Sequence, residues 1–335
     1  MRSIRELRDR AVIRPIKQAV EDQLLDLPGV TAVDIGDRRT AGRRTGEQVI
    51  VVSVRRKRPA GQLDPDARVP GDVLGIPVDV IEEEPELHHL DCCARELPPA
   101  GRAVRSGALA GGAGIAPSRS VWATPPLVPV AAEYRRIGTL GAVVTGSAPA
   151  AITMGLTTFD VACADDAWSV GDRMVDPDTG AACADLSRAA LSGRVDAAAV
   201  SLVPGVAHVR AVSGIGPVTG QSTAYPGEVV RKFGYGSAFS EGVVLSTDTT
   251  LRLDHGTTLG VRVLREQLRV RSLSALGRFA DRGDAGAVLL NADNRVVGLH
   301  LAGNRDGSMG FASPIADVLT ELDVDLAAES RRVSG

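Results

Sequence analysis

The stretch GRFADRGDAGAVLLNADNRVVGLHLAG, Gly277 to Gly303, decides how the chain is read. It ends in two short runs rich in Val and Leu, AGAVLLNA and RVVGLHLAG. Before them stands Gly283-Asp284-Ala285-Gly286, an acidic residue and an alanine between two glycines. Such runs are too short for helices and have the composition of strands.

Working outward, the same texture recurs. TLGAVVTG, AAITMGLTT, DAAAVSLV, EGVVLSTDTTL and TLGVRVLREQLRVRSL are β-like runs punctuated at close intervals by Gly, Asp and Ser. That spacing predicts an antiparallel barrel or sandwich. SPIADVLTELDVDL has a helical pattern and would close the domain. Upstream, residues 97–107 open a stretch rich in Pro, Gly and Ala, read as a linker. Residues 1–96 form a small α/β module. Apolar residues at helical spacing run from Ile4 to Leu24, with Pro15 breaking the helix in two or capping a second one. VTAVDIG, QVIVVSV and IPVDVIEE are strand candidates, with DRRTAGRRTG as a loop between the first two.

Composition bounds the function. The 335 residues carry a net charge of −3, so no overall basic field favours nucleic acid. Charges run through the N-terminus, and no run approaches the ~18 apolar residues of a membrane span. A cytoplasmic protein is expected, with Cys92, Cys93, Cys163 and Cys183 as thiols; a Cys163–Cys183 bridge is left open. Within the module, residues 1–60 hold 14 Arg/Lys against 8 Asp/Glu, and residues 61–99 hold 2 against 10. The two parts either pair with each other or face solvent, or Arg55-Arg56-Lys57-Arg58 docks an acidic partner. HHLDCC (88–93) offers five potential metal-binding side chains in six residues, but adjacent residues do not readily close one site, so a solvated turn with partly buried thiols is expected and no metal. No phosphate-binding or dinucleotide motif is present, and no cofactor is expected.

The second domain, residues 108–328, resembles bacterial trypsin-like serine peptidases of the chymotrypsin fold over roughly residues 108–322. GTLGAVV (138–144), GEVVRKFGYGSAFSEGVV (227–244) and FADRGDAGAVLLNADNRVVGLHLAG followed by GFASPIADVL carry the resemblance. The N-terminal module, through GEQVIVVSVRRKRP and VPGDVLGIPVDVIE, also looks like one that precedes such peptidases. The resemblance implies a mostly β fold, a chymotrypsin-like double antiparallel β-barrel after a small α/β domain. It also implies a catalytic order of His, Asp, Ser. Leu156-Thr157-Thr158-Phe159-Asp160-Val161 matches the His segment, RVDAAAVSL the Asp segment, and Gly283-Asp284-Ala285-Gly286 the Ser segment. The triad positions thus read Asp160, Asp196 and Ala285.

Alanine has no attacking atom, and a carboxylate is a far weaker base than imidazole. What a backbone can still supply is an oxyanion hole, from the N–H groups of Gly283 and Ala285. The resemblance assigns Asp284, His300, Leu301 and Ala302 to the pocket, with Asp284 pairing a buried cation or amine. Two carboxylates side by side should force one pKa up, unless one turns outward or meets an arginine such as Arg194. His88, His89, His208 and His255 fall outside the expected base segment. The expected function is a catalytically inactive pseudopeptidase that binds a peptide or protein, or scaffolds an assembly, through its cleft. One alternative is an enzyme with repurposed chemistry using Asp160, Asp196 and the two amides. Another is an active serine endopeptidase whose serine has been replaced by Ala285. Partner identity and oligomeric state have no signal in the sequence.

Overall fold

The computed structural model describes residues 4–40, 43–98, 107–125, 128–147, 152–274 and 277–326. Two closed barrels follow directly from the strand pairing. In the first, Ala113–Pro117 pairs with Ala132–Leu140. That strand continues through Gly141 and Ala142, which bond Leu156, into Val143–Gly146, which pairs with Thr153–Thr157. Asp196–Leu202, Ala182–Leu191 and Arg173–Val175 follow, and the last returns to Ala113–Pro117. The second barrel runs Val229–Gly234, Val288–Leu290, Arg295–Asn304, Met309–Pro314, Val261–Ser272 and Ala238–Asp254, which pairs back to Val229–Gly234. All of these pairs are antiparallel. The architecture is a chymotrypsin-like double β-barrel; each barrel closes on itself, and strands that run past the closing ladder leave backbone that other segments pair with.

The barrels meet along small residues. A Cβ at Gly141 would lie 2.2 Å from the Gly286 carbonyl oxygen. Around this contact Ala142, Leu156, Val288 and Leu290 share one core with the helix Ile315–Leu322, which buries Ile315, Val318, Leu319 and Leu322.

The N-terminal strands join the second barrel. Val30–Thr40 pairs with Arg43–Val54, which pairs in parallel with Ile76–Glu82. Val30–Thr40 also pairs with Ala238–Asp254, at Ala32↔Leu251. The predicted loop DRRTAGRRTG is a hairpin instead, with both strands running on to the Thr40↔Arg43 pair.

The helix Ile4–Leu25 passes unbroken through Pro15, against the expectation of a break or a second cap. Proline costs this helix a hydrogen bond and crowds the preceding turn. Buried polar anchors on both sides of Pro15 tie the helix to the sheet. Arg10 reaches Gln48 at 2.8 Å and the Ile35 carbonyl at 2.6 Å. Lys17 reaches Thr250 at 2.5 Å, and the Thr250 hydroxyl donates to Glu21 at 2.7 Å. Tertiary contacts override local propensity here.

The basic run turns back on its own module: Arg55 pairs with Glu84 at 2.6 Å, and Lys57 Nζ donates to the Val80 carbonyl. Most of the expected linker, residues 99–106, lies outside the described residues, as do 327 and 328 at the domain's end.

Candidate functional site

The loop Asp281–Gly286 is fixed from inside. Asp284 is fully buried and pairs with the buried ammonium of Lys232 at 2.5 Å. Its carboxylate also accepts from the amides of Gly236, Ser237 and Asp281 at 3.1, 2.9 and 2.9 Å. Burial pushes this carboxyl up, but Lys232 and the hydrogen bonds outweigh it and hold its pKa below the usual range. From the other barrel Thr139 donates its hydroxyl to the Gly283 carbonyl and its amide to the Ala285 carbonyl, both at 2.8 Å. Gly283 has φ +99° and Gly286 φ +98°, conformations that favour glycine. The turn they make aims the N–H groups of Gly283 and Ala285 at one point.

That point is occupied. The His88 carbonyl oxygen accepts from Gly283 N at 2.7 Å and from Ala285 N at 3.2 Å. Residues 85–93 form a strap across both barrels. Pro85–Leu87 pairs antiparallel with Arg295–Asn304, at Leu87↔Ala302 and Glu86↔Gly303. The His88 amide donates to the Leu301 carbonyl at 2.9 Å. Beyond His89, Leu90–Cys93 pairs antiparallel with Ala132–Leu140 of the first barrel.

Neighbouring side chains of an extended chain point to opposite sides, and His88 and His89 do so. The His88 ring enters a closed pocket, where its Nδ1 lies 3.1 Å from His300 Nε2, one donating to the other. Gly303 makes room: a Cβ there would lie 2.3 Å from the His88 ring. Burial pushes the His88 pKa down to about 4, and burial beside His88 and Lys232 lowers that of His300. Both rings are neutral at pH 7.

His89 faces the first barrel. Its Nδ1 lies 2.5 Å from Asp160 Oδ2, and its Nε2 lies 3.2 Å from Asp91 Oδ2. Burial lowers its pKa, but the Asp160 charge and the hydrogen bonds dominate and raise it to about 9. His89 is therefore an imidazolium at neutral pH. Asp160 sits on the short helix Phe159–Cys163, whose N-cap Thr158 accepts from the Val161 amide. Its other oxygen takes Arg136 Nη1 at 2.6 Å. Burial would raise Asp160, yet His89 and Arg136 hold it well below the carboxylate range.

Asp196 lies behind Asp160 and accepts its backbone N–H at 3.2 Å. Burial, then the Asp160 charge, pushes Asp196 up to about 7. The nearest titratable ring is His255, with Nδ1 3.9 Å from Asp196 Oδ2 and both groups fully buried. Outside this cluster lies a cleft of about 500 Å³, lined by His89, Asp91, Arg136, His255 and Arg282 among others.

Of the predicted site residues, Gly283 and Ala285 hold the His88 carbonyl, Leu301 and Ala302 bond the strap, His300 faces the His88 ring, Asp284 braces the loop from inside, and Asp160 meets His89 with Asp196 behind it. Three expectations are corrected. HHLDCC is no solvated turn: it threads the cleft and carries His88 and His89 into it. The arginine that meets the carboxylates is Arg136; Arg194 pairs instead with Glu266 and Asp317. Of the four histidines set aside by chain order, His88, His89 and His255 lie at the site, and only His208 lies elsewhere, exposed beside the Val206 carbonyl. A possible clue was the doublet of histidines between Glu86 and Asp91, whose adjacent side chains would face opposite walls. The partner across each wall is 71 or 212 residues away, and pairing at that range leaves no local pattern.

All four cysteines are free. Among the described residues, no group of three or more His, Cys, Asp or Glu is arranged to hold a metal, and no helix is long and apolar enough to cross a membrane.

Neither a protein-family model nor a curated protein matches the chain. Solved structures do. Thermobifida fusca protease A is 20% identical with a TM-score of 0.47, over 66% of this chain and all of that one. Nocardiopsis protease is 17% identical with a TM-score of 0.47, over 65% and 98%. Cellulomonas bogoriensis chymotrypsin is 21% identical with a TM-score of 0.41, over 57% and 90%. The double-barrel assignment stands on the strand pairing itself.

Proposed function

We propose that the protein is a pseudopeptidase, a chymotrypsin-type scaffold whose cleft holds an extended peptide without cutting it. One observation carries the reading. A peptide carbonyl, that of His88, sits between two convergent amides, and the residue that supplies one of them, Ala285, carries only a methyl. The amides polarise the carbonyl, but hydrolysis also needs an attacking atom and a base. Asp160 has both oxygens engaged by cations, and His89 already carries its proton. Loss of triad function costs on the order of 10⁶ in kcat in a well-studied unrelated peptidase. The repurposed-acid reading would need the raised carboxyl of Asp196 to meet a ligand, and that group is fully buried behind Asp160.

The test is labelling with a fluorophosphonate, together with ester and peptide turnover by the full chain. No labelling and no turnover above buffer are expected. Stoichiometric labelling in the cleft would overturn the reading.

A further inference from the structure

The strap does more than fill space. Three backbone features hold it: the strand pairs with Arg295–Asn304, the His88 amide on Leu301, and the His88 carbonyl on the two loop amides. Main-chain bonds of this kind accept any extended sequence, and selectivity comes from side-chain pockets. Here the pocket is specific. It is closed, and the group facing the occupant is the neutral ring of His300, in hydrogen-bond contact at 3.1 Å. The nearest carboxylate, Asp284, is fully committed to Lys232 and three amides. A cationic side chain would find Lys232 and no free acid. A leucine would leave His300 without its buried partner, a loss of the kind that unpaired polar groups impose.

We infer that this cleft is a strand-binding site with a pocket for an uncharged imidazole, and that residues 86–91 are its internal occupant, which a partner strand bearing histidine at that position displaces. The inference rests on the silent-cleft reading, since a peptide that is cut would not remain bound.

Proton linkage gives it a signature. His88 faces His300, with Lys232, Asp284, Asp281 and Arg282 nearby. Its pKa falls from 6.5 to about 4 when bound, so occupancy weakens as pH drops below 6.5. His89 faces Asp160, Asp91 and Arg136. Its pKa rises from 6.5 to about 9, so its contribution is complete below 6.5 and fades as pH rises toward 9. Affinity should peak near pH 6.5 and fall on both sides, by up to about tenfold per pH unit.

The experiment uses the full chain with His88→Gly, which empties the pocket, and a fluorescent acetyl-ELHHLD-amide peptide corresponding to residues 86–91. Circular dichroism verifies the fold; if His88→Gly does not fold, Leu87→Gly takes its place. Anisotropy should show binding at least about tenfold tighter than to the parent chain, whose own strap competes. Peptides with Lys, Glu or Leu at the pocket histidine should bind about tenfold more weakly. No binding to the folded variant, or equal binding of the Lys or Glu peptide, overturns the inference. Mass spectrometry of the peptide separates the two readings. Binding with cleavage would sink the silent-cleft reading, whereas absent binding and an intact peptide would sink only this inference.

Discussion

The two walls of the cleft are built differently. On the second-barrel wall the working atoms are backbone: two amides, held by Asp284 on Lys232 and by Thr139 from across the interface. On the first-barrel wall they are side chains: Asp160, Arg136 and His89 in one charged cluster over a raised Asp196. Backbone geometry survives any side-chain change that spares the turn. Side-chain chemistry changes with a single residue. A wall of the first kind can go on gripping a carbonyl after a wall of the second kind has stopped handling protons, and that is the combination the proposed function assigns to this cleft.

If that contrast is right, the second wall depends most on its buried ion pair. Lys232→Met strips the cation from Asp284 and leaves a carboxylate buried among amides. Breaking a buried pair from one side costs about 3–5 kcal/mol, and urea unfolding at pH 7 should show a loss of that size. A loss below about 1 kcal/mol would mean that the amides alone hold the loop. On the first wall, Asp160→Ala removes the shared acceptor of Arg136 and His89. Both cations are slightly exposed, so a smaller loss of about 2–3 kcal/mol is expected. The His89 pKa should fall from about 9 toward 6.5, as read by NMR titration. An unmoved His89 would place its proton under Asp91 instead.

Asp196 should act in the opposite direction. Its folded pKa, about 7, lies above the ordinary carboxylate value. It therefore destabilises the fold increasingly as pH rises from about 4 to 7, where the unfolded chain ionises more readily. Asp196→Asn keeps the acceptor for the Asp160 amide. It should gain about 1–2 kcal/mol at pH 8 and nothing at pH 3.5. A loss at pH 8 would mean that the charged form has a partner, with His255 the nearest candidate.

The smallest expected effect is on hydrolysis. Ala285→Ser supplies a hydroxyl beside the His88 carbonyl but no base, and its intact mass should stay that of one uncut chain. Asp160→His with Ala285→Ser supplies both, with Asp196 placed to orient the new ring, and a trace of cleavage between His88 and His89 is expected. Cleavage by Ala285→Ser alone would show that another base serves the site.

Much of this was legible in the sequence. The strand runs from 139 to 303 fell where strands are found, because each buries an alternating or wholly apolar face whose period is local. Asp160, Asp196 and Ala285 were singled out by matching three short segments to the resembled family, and the structure brings Asp160 and Asp196 into contact. The helix through Pro15 was misread because its continuity is held by Arg10, Lys17 and Glu21 bonding to strands that lie far along the chain. The strap was missed for the same reason. PELHHLDCC has too few apolar residues to advertise a strand, and what makes it one is unpaired backbone on two barrels assembled from residues distant in the chain.

The central claim is that residues 86–91 lie in the cleft with the His88 carbonyl held by Gly283 and Ala285. Hydrogen exchange of the parent chain, resolved to these amides, addresses it directly. The amides of His88, Gly283 and Ala285 should exchange as slowly as those of Arg295–Asn304 in the barrel core, and they should be released together in His88→Gly. Exchange of Gly283 and Ala285 at the rate of an open loop in the parent chain would contradict the account.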